Sequence, residues 1–252
     1  MVPTEPSADR PIERPLARRS AVRSAVVWEA LRSSVALATP GQAVVDLGGG
    51  TGGFAVRIAE LGHQVTVVDP SPDALAAAAR RAEEAGVTDR VVGRQGDVAD
   101  LAELVGAASA DLVLCHGVLG LLDDAAGALS TVASVVRPGG TLSLLVGQRH
   151  AAVLARAMAG HFGQARELLA GVDRASGERR FTADECTTLL VDAGFTVDAV
   201  HGVRVFADLV PSTLLDLEPG AAEALLDLER DVAERPEFRT LATQLHLLCS
   251  KR

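Results

Sequence analysis

A glycine-dense turn follows an apolar run early in the chain, and a carboxylate precedes its first glycine by two residues. The run reads Val44-Val45-Asp46-Leu47-Gly48-Gly49-Gly50-Thr51-Gly52-Gly53. Glycines let the backbone take positive φ and approach a ligand closely, and a helix after such a turn directs its free amides at it. We therefore predict that Asp46, Gly48, Gly49 and Gly50 belong to a site for a nucleoside cofactor.

Asp46 separates two classes of cofactor. Gly48, Gly50 and Gly53 also have the spacing of the dinucleotide fingerprint. In a nicotinamide or flavin site the turn holds a pyrophosphate, which a carboxylate at its mouth would repel. S-adenosylmethionine has no phosphate and carries an α-ammonium and a sulfonium, so a carboxylate would attract it. The motif Asp46-x-Gly48-x-Gly50-x-Gly52 resembles the first motif of class I methyltransferases; a nicotinamide enzyme and a turn without a ligand are the alternatives.

Asp69 is predicted to accept both ribose hydroxyls of the cofactor. It ends the apolar run that begins at Gln64, about 20 residues beyond the glycine turn, as in other sites of this kind. The alternative is that Asp69 caps the following helix. Ser71 and Pro72 already supply an N-cap and a proline at the first helical position, so ribose binding is the favoured interpretation.

A third strand and its loop are predicted over residues 91–98. Enzymes with the class I methyltransferase motif hold the adenine in this loop, through a carboxylate and a neighbouring backbone amide. Asp97 or Val98 is therefore predicted to contact the base. The alternative is that Asp97 caps a helix that begins near Ala99.

His116 is predicted to face the cofactor from the end of a fourth strand. The strand is the run from Ala110 to His116, and ligands of open α/β sheets bind in the crevice at the carboxyl ends of the strands. A histidine in this place can also be a hydrogen-bonded structural residue, or an acid or base. A turn at Val136–Gly140 and a strand at Thr141–Val146 complete the central part of the predicted sheet.

The length and composition predict one large α/β domain. The chain has 252 residues, of which 48% are hydrophobic, enough for a buried parallel sheet. We expect a Rossmann-like, seven-stranded, mostly parallel sheet with an antiparallel last strand. The predicted organisation is a disordered arm (1–15), an N-terminal helix (16–40), a cofactor-binding core (41–147), a helical lid insert (148–181) and the remaining part of the sheet (182–252).

The composition argues against membrane and metal functions. The apolar runs are too short to span a bilayer, and the N-terminus lacks the apolar centre of a secretion signal, so a cytoplasmic protein is expected. Cys115, Cys186 and Cys249 lie far apart without the spacing of a zinc site. We therefore expect buried thiols, with neither a disulfide framework nor a bound metal.

Segments along most of the chain resemble the bacterial tRNA 5-carboxymethoxyuridine methyltransferase family. They are Arg23-x-x-x-x-Trp28, Asp46–Gly50, Leu61–Val65, His116–Leu119, Arg137–Leu144, Gly202-Val203-Arg204-Val205-Phe206, and Leu226, Leu228 and Glu229 with Arg235-Pro236. The resemblance implies that Arg23, Gly48, Gly49, Asp69, Val98 and His116 contact S-adenosylmethionine. Arg23 would then bind the carboxylate of the methionine moiety, unless it is an exposed arginine on a basic helix face.

The family esterifies a carboxylate on a modified wobble uridine of tRNA. A carboxylate with a solution pKa near ~4 is already ionised at neutral pH, so the acceptor needs no general base and we assign no catalytic residue. Arg204, in the most specific of these segments, is predicted to hold the acceptor carboxylate. The alternative is a structural salt bridge at the end of the sixth strand.

RNA binding is the weakest part of the resemblance. The insert lacks the lysine tract of relatives, the net charge is −9, Tyr is absent and aromatic residues make up 3% of the chain. Arg14, Arg18, Arg19 and Arg23 form the candidate basic patch, or simply a solvated helix face. A methyltransferase acting on a small-molecule carboxylate or hydroxyl is therefore the main alternative. A nicotinamide oxidoreductase and a noncatalytic cofactor-binding protein are the others.

Overall fold

The described residues form a seven-stranded sheet in the order β3-β2-β1-β4-β5-β7-β6. The computed structural model describes residues 15–34, 37–171, 177–218 and 220–252. The strands are β1 (Ala43–Leu47), β2 (Gln64–Asp69), β3 (Val91–Gln95), β4 (Ala110–His116), β5 (Val136–Gly147), β6 (Phe195–Val203) and β7 (Gln244–Lys251). Within this described sheet only β7 runs antiparallel, between β5 and β6. The predicted fold class is confirmed.

Helices cover both faces of the sheet. They are α1 (Pro15–Ser33), α2 (Gly53–Glu60), α3 (Pro72–Glu84), α4 (Leu101–Val105), α5 (Ala125–Val135), α6 (Arg149–Met158), α7 (Phe162–Leu169), α8 (Ala183–Asp192), α9 (Ser212–Leu217), α10 (Ala221–Ala233) and α11 (Pro236–Arg239), with a 3-10 helix at Leu119–Leu121. Alternate residues of β4 serve the two cores. Leu112 and Leu114 pack with α1 and α2, whereas Val113 and Cys115 pack with α5 and α8. Burial on both sides explains why β4 reads as a continuous apolar run.

The parallel strands bring three predicted site segments to one edge of the sheet. β1 lies between β2 and β4. Their carboxyl ends are Leu47, Asp69 and His116. The chain leaves β1 toward β2 on one side, while β4 adds on the other side, and ligands bind at such a switch point in open α/β sheets.

Three strand boundaries differ from the predicted ones. β5 includes the predicted turn at Val136–Gly140, because Val136 already pairs with Ala110 before the register shifts and pairing resumes at Thr141. β6 ends at Val203 rather than at residue 206, because Arg204 has φ 62° and breaks the ladder. The last strand is Gln244–Lys251, displaced from the predicted 241–249.

The N-terminal helix is shorter than predicted. It ends at Ser33, whereas the prediction extended it to residue 40. Val26, Val27 and Leu31 are buried as expected. The predicted arm, apart from Pro15, and the side chains of Arg18, Arg19 and Arg23 lie outside the described part of the structure.

The insert between β5 and α8 contains the two short helices that the sequence predicts, α6 and α7. Their apolar residues are only partly buried. Leu168 is buried, but Met158, Phe162 and Leu169 are 72%, 68% and 64% exposed. Helices α6 and α7 contact each other, and these three side chains lie on the outer surface.

Two further properties concern the described residues alone. None of the helices there is long and apolar enough to cross a bilayer. No group of three or more His, Cys, Asp or Glu side chains in the same ranges is placed to hold a metal ion. Cys115, Cys186 and Cys249 are free, buried thiols, as expected.

Candidate cofactor and acceptor site

The glycine turn after β1 has the backbone geometry that the sequence predicts. Gly48, Gly50 and Gly52 take φ values of 67°, 55° and 75°, where a side chain would be strained. The Gly48 amide donates to the Val68 carbonyl at 2.7 Å, which holds the turn over the end of β2. A Cβ at Gly48 would lie 2.3 Å from Val118 Cγ2. The turn therefore requires glycine for its shape and for its close packing.

Asp46 lies directly beneath this turn. Its side chain is 3% exposed, and a Cβ at Gly49 would stand 2.6 Å from its carboxyl carbon. The pKa of Asp46 is raised to about 7, first by burial and then by the charge of Asp69, against the opposing effect of the Ala55 amide. A buried carboxylate without a cation is costly, so a positively charged ligand at the turn would stabilise its ionised form.

Asp69 ties the turn to the start of α3. One carboxylate oxygen accepts from the Gly50 amide and the other from the Ser71 amide, both at 2.9 Å. The predicted cap is confirmed, since the Ser71 hydroxyl accepts from the Ala74 amide and Pro72 opens the helix. Each oxygen of Asp69 keeps a second lone pair. The carboxylate is therefore fixed in place and can still accept hydroxyl donors.

The loop after β3 reaches the same edge. The Gly96 amide donates to the Asp69 carbonyl at 3.3 Å. Asp97 is exposed, and its carboxylate accepts from the Ala99 amide at 2.7 Å in a local turn. The next helix, α4, begins at Leu101 rather than near Ala99. Val98 is half-buried against the core. The structure thus brings the loop with Asp97 and Val98 close to Asp69, and their contact with adenine stays a prediction.

His116 closes the crevice from the end of β4. Its ring meets Phe54 edge-on with centroids 5.0 Å apart, and Phe54 in turn contacts Trp28 of α1 at 6.4 Å. Nε2 of His116 is hydrogen-bonded to the Ser143 hydroxyl at 2.8 Å. Nδ1 is buried and has no partner among the described residues. Burial lowers the pKa of His116 to about 4, so the ring is neutral at physiological pH.

These features fit S-adenosylmethionine. An orphaned ring nitrogen on His116, a buried carboxylate at Asp46 and a second carboxylate at Asp69 supply acceptors for its ammonium and hydroxyl donors. A cavity of about 710 Å³ lies between α1, α2 and α10; Trp28 and Gly53 are among its lining residues, whereas Asp46, Asp69 and His116 are not. Because the Arg23 side chain is not described, its predicted contact with the methionine carboxylate stays a prediction.

Arg204 lies in a second cavity of about 400 Å³ at the same edge of the sheet, between helix α6 and the start of β7. Two more arginines, Arg156 and Arg180, line it with Glu178 and Asp208. Arg204 forms an ion pair with Asp208, and its Nη1 approaches Gln244 Oε1 at 3.4 Å. The structure therefore contains the salt bridge of the alternative interpretation and also places Arg204 in a basic cavity.

The sequence did not predict the buried polar residues that contact His116 and the segment of Arg204. Ser143, His246 and His201 form a buried series of polar contacts that begins at His116. Glu229 is 1% exposed, and its carboxylate accepts from the amides of residues 205, 206 and 207. Glu229 thereby fixes the segment that carries Arg204. The only sequence signal for it was its place in the family resemblance.

Three comparisons relate the chain to known proteins. A family described as a methyltransferase domain matches residues 44–140. The tRNA 5-carboxymethoxyuridine methyltransferase of Escherichia coli (strain K12) is 30% identical over 233 residues, which cover 91% of this chain and 88% of the relative. A ubiquinone biosynthesis O-methyltransferase of Xanthomonas campestris pv. campestris (strain B100) is 37% identical over 125 residues, 49% of this chain and 51% of the relative.

Solved structures with a similar fold include methyltransferases. An S-adenosylmethionine-dependent methyltransferase from Mesorhizobium loti superposes with a TM-score of 0.60 at 22% identity, over 91% of this chain and all of the other. A likeness at this identity concerns the fold. It agrees with the seven-stranded α/β sheet described above.

Proposed function

Because the chain belongs to the S-adenosylmethionine-dependent methyltransferases, in the family of the Escherichia coli tRNA 5-carboxymethoxyuridine methyltransferase, we propose that it methylates a carboxylate, that of 5-carboxymethoxyuridine in tRNA. The observation that carries this proposal is the cavity around Arg204. It lies at the same sheet edge as the glycine turn, since β5 ends there at Gly147 and β7 begins at Gln244.

The charges of this cavity suit an anionic acceptor. Three guanidinium groups and two carboxylates line it, within a chain whose net charge is −9. The Asp208 carboxylate and the Gln244 amide oxygen contact Arg204 and orient its planar fork. A guanidinium held in this way can bind one oxygen of an acceptor carboxylate and leave the other free.

The residues of the chain have a positioning role in this reaction. When bound, S-adenosylmethionine supplies a methyl group activated by its sulfonium. Asp46 and the glycine turn would hold the cationic amino-acid end, and Asp69 would hold the ribose. Arg204 would orient the acceptor, which is ionised near neutral pH and requires no base. The rate enhancement then comes from alignment of the two reactants.

A small-molecule acceptor is the second candidate. Two observations favour it: the net charge of −9 with 3% aromatic residues, and the 37% identity to a ubiquinone biosynthesis O-methyltransferase over about half the chain. Proteins that bind RNA normally present basic surfaces and aromatic platforms for bases. An acceptor with a hydroxyl group would also require a base. Neutral His116, at the end of β4, is the candidate for that role.

The deciding experiment is methyl transfer from isotopically labelled S-adenosylmethionine. The acceptors are tRNA from cells that lack their own carboxymethoxyuridine methyltransferase, tRNA without the carboxymethoxy group, and a small-metabolite extract. We expect label in the first tRNA alone, bound as a methyl ester. Mild alkali should cleave this ester and release the label as methanol. Label only in the extract would replace the tRNA proposal by the second candidate.

Arg204→Lys tests the role of the cavity. Lysine keeps the charge but loses the planar fork, so kcat/KM for the acceptor should fall by about tenfold or more while cofactor affinity changes little. Arg166→Lys, on the exposed surface of α7, is the matched control and should have no effect. Equal loss of acceptor use and cofactor binding in Arg204→Lys would make Arg204 a structural residue.

A further inference from the structure

A continuous series of polar side chains runs from the cofactor crevice across four strands of the sheet. Nε2 of His116 and Nε2 of His246 each lie 2.8 Å from the Ser143 hydroxyl. Nδ1 of His246 lies 3.3 Å from Nδ1 of His201, and the two rings stack. Nε2 of His201 lies 3.6 Å from a carboxylate oxygen of Glu234. The series therefore ends at an acidic group on the surface.

The inner members of the series are sealed inside the protein. Ser143 and His246 are 0% exposed and His201 is 6% exposed, whereas the Glu234 side chain is 81% exposed. Each ring belongs to a different strand: His116 to β4, His246 to β7 and His201 to β6, with Ser143 on β5. Four adjacent strands thus contribute one polar residue each to a continuous series.

The three rings are neutral. Burial lowers the pKa of His116 to about 4. Burial also lowers the pKa of His201, although Glu234 and a hydrogen bond to the His246 backbone oppose this and Arg239 reinforces it. The pKa of His246 is lowered well below its usual value by burial and by its two histidine neighbours. A neutral imidazole has one N–H donor and one bare nitrogen acceptor. A ring that donates a hydrogen bond on one side must therefore accept one on the other side.

Glu234 favours one of the two directions. A carboxylate favours the tautomer of His201 whose Nε2–H faces it, which leaves Nδ1 of His201 as an acceptor. Nδ1–H of His246 then donates to His201, and Nε2 of His246 becomes an acceptor. The Ser143 hydroxyl consequently donates to His246 and accepts from Nε2–H of His116. If every hydrogen bond of the series were reversed, a bare nitrogen of His201 would face the Glu234 carboxylate, and two acceptors would meet.

We propose that Glu234, His201, His246 and Ser143 are positioning residues that fix His116 as the Nε2–H tautomer. Nδ1 of His116, which is buried without a partner among the described residues, then carries a bare lone pair at the carboxyl end of β4. It accepts a hydrogen bond from a donor of S-adenosylmethionine, an ammonium or a hydroxyl. The inference rests on the proposed contact between His116 and the cofactor, but not on the identity of the methyl acceptor.

Nitrogen-15 NMR of the histidine rings in the full chain tests the tautomer directly. We expect His116 as the Nε2–H form in the free protein at pH 7. Glu234→Lys should shift it toward the Nδ1–H form, because an ammonium favours a bare nitrogen facing it. Glu237→Lys, an equal change of charge at an exposed position of α11, should leave the tautomer unchanged. An Nδ1–H form in the unmodified protein, or an unaltered tautomer in Glu234→Lys, would overturn the proposal.

Cofactor affinity gives a second measurement that does not depend on methyl transfer. Ser143→Ala breaks the series and should weaken S-adenosylmethionine binding by about three- to tenfold. Ser143→Thr keeps a hydroxyl and should restore most of the affinity. Cys249→Ala removes one buried heavy atom from β7 outside the series and serves as the packing control. Equal affinities for Ser143→Ala and Cys249→Ala, with folding intact by circular dichroism, would show that the series does not position His116.

Discussion

Asp46 and Asp69 have different surroundings although both are buried near the ends of neighbouring strands. Asp69 is held by two backbone amides, from Gly50 and Ser71. Asp46 lies beneath the glycine turn, where burial and the charge of Asp69 raise its pKa to about 7. The free protein therefore binds a proton at Asp46 over the lower part of the physiological range. A cationic cofactor would displace that proton, since it stabilises the carboxylate.

The affinity for S-adenosylmethionine should consequently rise with pH. Below a pKa of about 7 the ionised fraction of Asp46 falls about tenfold per pH unit. We expect the association constant to increase by roughly five- to tenfold between pH 6 and pH 7.5, with proton release on binding, as measured by calorimetry in two buffers. Asp46→Asn should bind more weakly and show a flat profile. A flat profile in the unmodified protein would remove Asp46 from the electrostatics of the site.

Asp69→Ala tests the assignment of the ribose. The substitution removes the acceptor that the hydroxyls require, so cofactor affinity should fall by about 1–3 kcal/mol. Asp73→Ala, in the exposed first turn of α3, is the matched control and should bind normally. Because Asp69 also holds the Gly50 and Ser71 amides, the melting temperature of the variant must be measured alongside. Unchanged affinity in a folded Asp69→Ala protein would refute the assignment.

At the scale of elements, a single helix residue determines the shape of the segment after β6. Glu229 of α10 accepts three consecutive amides, from residues 205, 206 and 207, at 2.7 to 2.9 Å. These bonds follow directly after Arg204, whose φ of 62° ends the strand. The carboxylate compensates for the backbone groups that leave the ladder. Glu229 does not line the cavity around Arg204. It connects α10 to this cavity by holding the main chain that follows Arg204.

Glu229→Ala should destabilise the protein and impair acceptor use. Loss of a buried acceptor for three amides should cost about 3 kcal/mol in the free energy of unfolding, measured with urea. Glu223→Ala, an exposed position of the same helix, should change it by less than about 0.5 kcal/mol. Equal effects of the two substitutions would mean that the three amides find other partners.

Elements whose cause is local could be predicted from the sequence. The run Ala110–His116 predicted β4 with its observed bounds, and Ser71 with Pro72 predicted the start of α3. The ends of β5 and β6 could not be predicted in this way. They depend on the pairing of Val136 with Ala110 and on the positive φ of Arg204, and both are consequences of tertiary contacts.

The same distinction holds for the site. The glycine turn, Asp46 and Asp69 lie within one βαβ unit, and their spacing along the chain reveals them. Ser143 and His246 are 103 positions apart and meet only because β7 pairs with β5. No local pattern marks such residues, so the network behind His116 was not predicted.

At the scale of the whole molecule, the three thiols report on the integrity of the core. Burial raises the pKa of Cys115 and of Cys186 to about 12 and raises that of Cys249 as well. All three should therefore resist a thiol reagent at pH 8 in the folded protein and react only on unfolding. The measurement is the absorbance of released thiolate with and without denaturant, which should give zero and three equivalents. Rapid reaction of one thiol in the folded protein would contradict the described packing.

The position of β7 between β5 and β6 has a consequence for biosynthesis. Because β7 follows both neighbours along the chain, β5 and β6 leave the ribosome before the strand that joins them exists. Until then β5 is an open edge that other nascent chains can pair with. His246 and Gln244 both belong to β7. The cavity around Arg204 and the histidine series are therefore completed together, when β7 pairs with its neighbours. Catalytic competence should thus be acquired abruptly, when β7 pairs with β5 and β6, rather than by degrees.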